Sequence, residues 1–255
     1  MLAWFHLPVS YLLAAWHEAA ALLTGPASGL GWALAVVGLV VTVRAILLWP
    51  AVAQMRTGRA VARLQPELAA LRERHRDDPM ALARATTDLQ RAHGVRPFAT
   101  LGPLLLQIPI MLGAVGVLHG FVPGATSNGL FGAADVASFL HARLGGAGLV
   151  QTVLGGDVQG FAILGHWSFS PAVLAVAAPV ALVAALATHL TARLARRRQA
   201  PDGSGLATAI GMWLIPVGTV LGALVLPLVT EVYVLAHSVW TLGQQYLVGR
   251  YLDAH

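Results

Sequence analysis

An arginine stands inside an otherwise apolar run, Trp32-Ala-Leu-Ala-Val-Val-Gly-Leu-Val-Val-Thr-Val-Arg44-Ala-Ile-Leu-Leu-Trp49-Pro50. A run of this length and character reads as a membrane span. At about 1.5 Å of rise per residue, Arg44 lies roughly 16–18 Å from its start, past the middle of the bilayer and toward the Pro50 end. A full charge there opposes insertion by roughly 2.5–3.5 kcal/mol. Two arrangements relieve that cost. The long side chain snorkels to the nearby interface, or it faces a polar cavity inside a helix bundle, where an intramembrane charge is a functional site.

The surrounding composition decides the class. Of the 255 residues 57% are hydrophobic and 11% charged, with a mean hydropathy of +0.70. Soluble domains carry about 25% charged residues, so the chain reads as a polytopic membrane protein. It has no cysteine, which excludes disulfides and thiolate chemistry. All sixteen basic residues are arginine, and their placement speaks for membrane topology rather than nucleic-acid binding.

Taken in order, residues 1–30 open with Trp4, Phe5, Leu12, Leu13 and Trp16 broken by His6, Pro8, Ser10, His17 and Glu18. This mixture predicts a helix lying in the membrane interface, with a spanning helix as the alternative; the lack of a positive leader argues against a cleaved signal peptide. Span one covers 31–50. Residues 51–99 then hold nine arginines and five acids, with Leu64, Leu68 and Leu71 at helical spacing. Asp77-Asp78-Pro79 turns the chain, Leu82, Ala85 and Leu89 form a second stripe, and His93-Gly94-Val95-Arg96-Pro97 ends it. An antiparallel helical hairpin outside the membrane, closed along a narrow leucine seam, follows. Span two covers 100–120 and contains Pro103, Gln107 and Pro109. Residues 121–170 read as an extracytoplasmic, Gly-rich loop, with a short amphipathic helix near 136–144 and an interfacial patch at 149–154. Span three covers 171–192, a basic loop 193–205, span four 206–225, span five 228–248 and a tail 249–255.

Five spans put 51–99, 193–205 and 249–255 on one side, and these segments contain fourteen of the sixteen arginines. The positive-inside rule therefore predicts the N-terminus outside and the hairpin and C-terminus in the cytoplasm. No His-Glu-x-x-His, Gly-x-Ser-x-Gly or paired intramembrane aspartates occur, so no catalytic site is predicted. His119, His189 and His237 stand apart from any ligand spacing, so no metal is predicted either.

Four segments stand out in order: Val40-Val-Thr-Val-Arg44 through Pro50; Leu64-Gln-Pro66-Glu-Leu68 leading to Arg76-Asp-Asp-Pro79; His93-Gly-Val-Arg-Pro97 with Gly102-Pro103-Leu-Leu-Leu-Gln107-Ile-Pro109; and, more weakly, Tyr233 through Trp240-Thr-Leu-Gly-Gln244-Gln245. Together they resemble the YidC-type membrane protein insertase family. The match is dense over 30–120, moderate over 205–248 and nearly absent over 121–170. Some positions depart from the family pattern. Gly102 stands where a cysteine is common, Val234 where tryptophan is usual, Ser238 where an asparagine lies nearby, and Thr191 where glutamine is frequent. The long basic tail of some members is absent.

The resemblance implies an all-α membrane protein, a five-transmembrane-helix bundle with a hydrophilic groove, a cytoplasmic helical hairpin and an N-terminal interfacial helix. It implies a bacterial plasma (inner) membrane location and an insertase and chaperone function without cofactor. Arg44 would line the groove, joined by Gln107, Thr42, Thr188, Thr191 and Ser238. The threonines have a competing role in bonding their own backbone, and Gln107 one in gluing helices together. Implied partners are nascent membrane proteins, membrane lipids, and the ribosome and Sec translocon, with no direct nucleic-acid role. Competing readings are an assembly or scaffold factor with the same fold and a small-solute transporter using Arg44 as an anion site. Glu231, about 10 Å shallower than Arg44 by helical rise, is read as an interfacial or lid-side residue, with a direct ion pair to Arg44 as the alternative.

Overall fold

The computed structural model describes residues 3–95, 102–155, 168–196 and 205–254. These residues are mostly helical: α1 (Ala3–Thr24), α2 (Gly29–Ile46), α3 (Leu48–Arg63), α4 (Gln65–Arg74), α5 (Pro79–Ala92), α6 (Gly102–His119), α7 (Ala133–His141), α8 (Pro171–Arg196), α9 (Gly205–Val225) and α10 (Leu228–Ala254). Two of them, Gly29–Ile46 and Pro171–Arg196, are long and apolar enough to cross a membrane by length and composition. The apolar stretches Gln107–His119 and Met212–Val225 are shorter. Arg96, Pro97, Asp157, Arg197, Arg198 and the turn at 201–204 lie outside the described residues.

The large helices pack in a definite order. α6 lies mainly on α1, α1 on α2, α2 on α10, α10 on α8 and α8 on α9. Among the described residues α2 and α6 make little direct contact; α1 fills the space between them. The helix expected in the interface thus presents Val9, Leu13, His17 and Ala20 to the core, a stripe at helical spacing. Gly38 of α2 receives the Trp16 indole, whose ring occupies the place of a side chain there. The Trp16 Nε1–H donates to Thr42 Oγ1 at 3.0 Å. A small residue that lets a neighbour approach closely is a recurrent device of membrane helix packing.

Beyond the α2 N-terminus the chain builds a cap. It contains two antiparallel β-ribbons, Ser127–Asn128 with Phe131–Gly132 and Arg143–Leu144 with Ala147–Gly148, flanking α7. Trp32 is fully buried at its centre. It stacks on His17 at 3.5 Å and meets Phe139, Phe131 and Phe121 at 5.0, 5.5 and 5.6 Å between ring centroids. Its indole N–H donates to Ser138 Oγ. The segment Leu149–Leu154, expected as an interfacial patch, is instead core: Leu149 and Val153 are fully buried. The reason lies in backbone pairing. Leu154 N–H donates to the Leu224 carbonyl, while the amides of Leu228 and Val229 donate to Gln151 and Leu149. The Gly-rich loop is thereby sewn onto the α9–α10 turn.

At the opposite end α2 passes into α3 with only Leu47 between them, so the Arg44 helix continues outward before α4 and α5 fold back. Asp78 caps α5, its Oδ1 accepting from the Met80 and Ala81 amides at 3.0 and 2.9 Å, with Pro79 at the first helical position. Gly94 ends α5 at φ +70. The Val95 amide reaches the Gln90 carbonyl and the Gly94 amide the Arg91 carbonyl, a Schellman motif that needs the glycine. Val95 then joins Leu64 and Leu68 in a small buried cluster with Leu89 packed against it. Of the residues expected to close the hairpin, Leu64, Leu68 and Leu89 are in this cluster, and Leu71, Leu82 and Ala85 are not. Arg59 on α3 donates to the Gly249 carbonyl at 2.9 Å, tying the hairpin's root to α10.

Candidate functional site: a pocket around Arg44

Four helices converge on Arg44. α2 contributes Leu39, Val40, Val43 and Arg44; α6 contributes Gln107, Ile110 and Ala114; α10 contributes Tyr233 and His237; α1 contributes Val9. Together they bound a small, partly open pocket with room for about one water molecule. Most of the wall is aliphatic. The polar groups are few and convergent: one guanidinium, one amide, one phenol and one imidazole.

The geometry around the charge is specific. The Arg44 Nη2–H donates to the His237 ring, with Nη2 at 2.9 Å from Nδ1 and also against Nε2. The Arg44 Nε is buried and has no hydrogen-bond partner. No carboxylate lines the pocket among the described residues. A guanidinium carries five donors and never loses its proton in a protein, so this one has unused donor capacity. Tyr233 and His237 sit four residues apart on α10, their rings 6.0 Å apart between centroids, and both face α2.

Of the six residues anticipated for the groove, the structure brings Arg44 and Gln107 into one pocket. The other four are not among its lining residues. Thr42 accepts from Trp16 and donates to the Gly38 carbonyl at 2.9 Å, so its hydroxyl is engaged on the α1 side. Thr188 bonds the Ala185 carbonyl of its own helix at 2.8 Å. Thr191 has a buried hydroxyl with no partner, and Ser238 is buried. Reading from sequence passed over His237 as an isolated histidine. The available signal was its spacing from Tyr233, one helical turn away on the same face.

Glu231 lies in the first turn of α10, away from the pocket. It is almost fully buried, and its Oε2 has no partner. Next to it Thr230 Oγ1 lies 3.1 Å from His119 Nε2 at the end of α6. No cluster of three metal-ligating side chains occurs among the described residues.

The chain matches the family model described as 60Kd inner membrane protein over residues 23–255. It is 35% identical to a membrane protein insertase YidC of Mycolicibacterium paratuberculosis, covering 94% of this chain and 73% of the relative. It is 33% identical to the protein of the same name from Mycobacterium tuberculosis strain H37Rv, covering 97% and 72%, and 33% identical to that of Mycobacterium leprae, covering 94% and 68%. An apolar helix carrying an arginine, a capped hairpin beyond it and an extended match to these relatives lead to one assignment: the chain belongs to the 60Kd inner membrane protein family, the family of the YidC insertases.

Proposed function

We propose that this protein is a membrane protein insertase and chaperone. It receives polar flanks of nascent membrane proteins at the Arg44 pocket and releases their apolar segments into the bilayer. Family membership supports the activity. The observation that carries the site is the partly engaged guanidinium: Arg44 is held in a four-helix pocket with a buried Nε that has no partner and no carboxylate beside it.

The physical problem is the passage of a short polar segment through hydrocarbon. Each unpaired backbone group costs several kcal/mol there. A pocket that admits water partway across shortens that path. Arg44 offers donors to a carboxylate or carbonyl of the entering segment. Hydration keeps the effective dielectric well above that of a dry interior, so the attraction is modest and permits release. Partition of an apolar stretch of about 20 residues into lipid supplies the driving force.

In this reading α2, α6, α8, α9 and α10 are the five spans. The arginine-rich hairpin and the C-terminus lie in the cytoplasm of a bacterial cell, and the cap lies outside, where α1 covers the pocket between α2 and α6. The partners are nascent chains and lipid. The basic hairpin face suits the ribosome or anionic lipid by charge, and the Sec translocon is a further partner in this reading.

The test is depletion of the insertase with complementation by Arg44→Ala, Arg44→Lys and Arg44→Glu, scoring insertion of single-span substrates with short acidic outside tails. Arg44→Lys should retain most insertion and Arg44→Glu should lose it. Equal insertion by Arg44→Glu and the parent, across several substrates, overturns the charge-attraction mechanism.

A further inference from the structure

The group that Arg44 does contact raises a question of design. A buried arginine in a membrane is most simply neutralised by a carboxylate, and α10 carries a buried one in Glu231. Yet Glu231 is absent from the pocket, six residues and about 9 Å along the helix from His237. What faces Arg44 from α10 is an imidazole.

We infer that His237 is a positioning residue, an exchangeable neutral partner that holds the Arg44 guanidinium until a carboxylate of an entering segment displaces it. The inference rests on the insertase reading and names the step by which the pocket recognises acidic flanks. A neutral imidazole nitrogen accepts one hydrogen bond from Arg44 and so orients the planar group. Its bond is weaker than the charge-assisted, bidentate pairing that a carboxylate makes with the same fork. An incoming Asp or Glu therefore wins the exchange, and the histidine recovers the arginine after the segment leaves. A resident carboxylate at this position would instead pair with Arg44 permanently and compete with every acidic substrate. A residue with no acceptor would leave the guanidinium free to turn away. The other polar neighbours, Gln107 from α6 and Tyr233 from α10, carry no negative charge at neutral pH, so His237 sets the charge state of Arg44's surroundings.

The experiment uses full-length protein in the depletion strain, with a single-span substrate whose outside tail carries two aspartates and a matched substrate with two asparagines. His237→Gln keeps a neutral acceptor and should insert both within about twofold of the parent. His237→Glu should reduce acidic-tail insertion about tenfold or more while leaving the asparagine tail within about twofold. His237→Leu should lower the preference for the acidic tail by several-fold. Membrane levels and unfolding temperature of each variant are measured alongside. The inference is overturned if His237→Glu inserts the acidic tail as well as the parent, or loses both tails equally. Should His237→Glu not accumulate, equal acidic-tail preference in His237→Leu and His237→Gln overturns it. The Arg44→Glu control separates the two ideas. If that variant inserts acidic tails normally, the pocket mechanism itself fails; if it does not and the His237 series is flat, only the exchange step fails.

Discussion

Placing valine at Gly38 tests how firmly α1 is seated over the pocket. A Cβ at this position would fall inside the Trp16 indole, so the ring must leave. Two losses follow. Forcing extra carbons into a packed contact costs about 1–3 kcal/mol. Expelling the indole also removes the Trp16–Thr42 hydrogen bond of 3.0 Å, worth about 0.5–1.5 kcal/mol. Trp16 is 39% exposed, so the ring can swing outward and relax part of the strain. The lower part of the combined range, about 2 kcal/mol, is the expected loss of α1 docking. Because about 1.4 kcal/mol is a factor of ten, amide exchange across Ala3–Thr24 should accelerate roughly thirtyfold, with Pro171–Arg196 unchanged as the internal reference. The measurement is hydrogen exchange in lipid nanodiscs. Trp16→Ala supplies the second corner of a cycle: with the indole gone, adding Gly38→Val should cost little, leaving a coupling of about 2 kcal/mol. Unchanged protection of α1 in Gly38→Val, or additive effects in the double variant, refutes the account of α1 seating.

Two further outcomes concern the cap and the hairpin. Trp32→Ala removes the hub of the aromatic cluster and should destabilise the protein by about 3–5 kcal/mol, read as a lowered unfolding temperature, whereas Trp32→Phe should keep much of the ring packing and lose the bond to Ser138. Asp78→Ala deletes a cap that satisfies two amides; α5 should lose about 0.5–2 kcal/mol of protection, with exchange in α2 and α10 unaffected because the hairpin seam is a separate cluster.

The Arg44 exchange model makes the pocket's composition meaningful as a whole. Arg44 is the one full charge among the pocket's described lining residues, and the convergent neutral groups beside it bond weakly enough to surrender it.

Local chemistry was enough to read much of this from the chain. Arg44 in an apolar run, the prolines and acids that start and stop α4 and α5, the glycine that ends α5 and the asymmetry of arginine are properties of short stretches, and short-range physics acts on them directly. The spans read as starting at 100, 171, 206 and 228 compare with described helices that start at 102, 171, 205 and 228. Other features depend on which faces meet. Nothing within residues 121–155 reveals that their backbone pairs with the α9–α10 turn, since those bonds join segments about 70–80 residues apart. Nor does the mixture of tryptophans and polar residues in α1 reveal that its buried stripe fits between α2 and α6. Thr42 looked like a groove hydroxyl until Trp16 was found bonded to it. His237 looked isolated because its partner lies 193 positions away. The sequence by itself placed one charge inside an apolar run, where any fold had to find it neighbours. Tertiary packing decided its neighbours, because a helix's period sets its stripes but only its partners choose which stripe is inside.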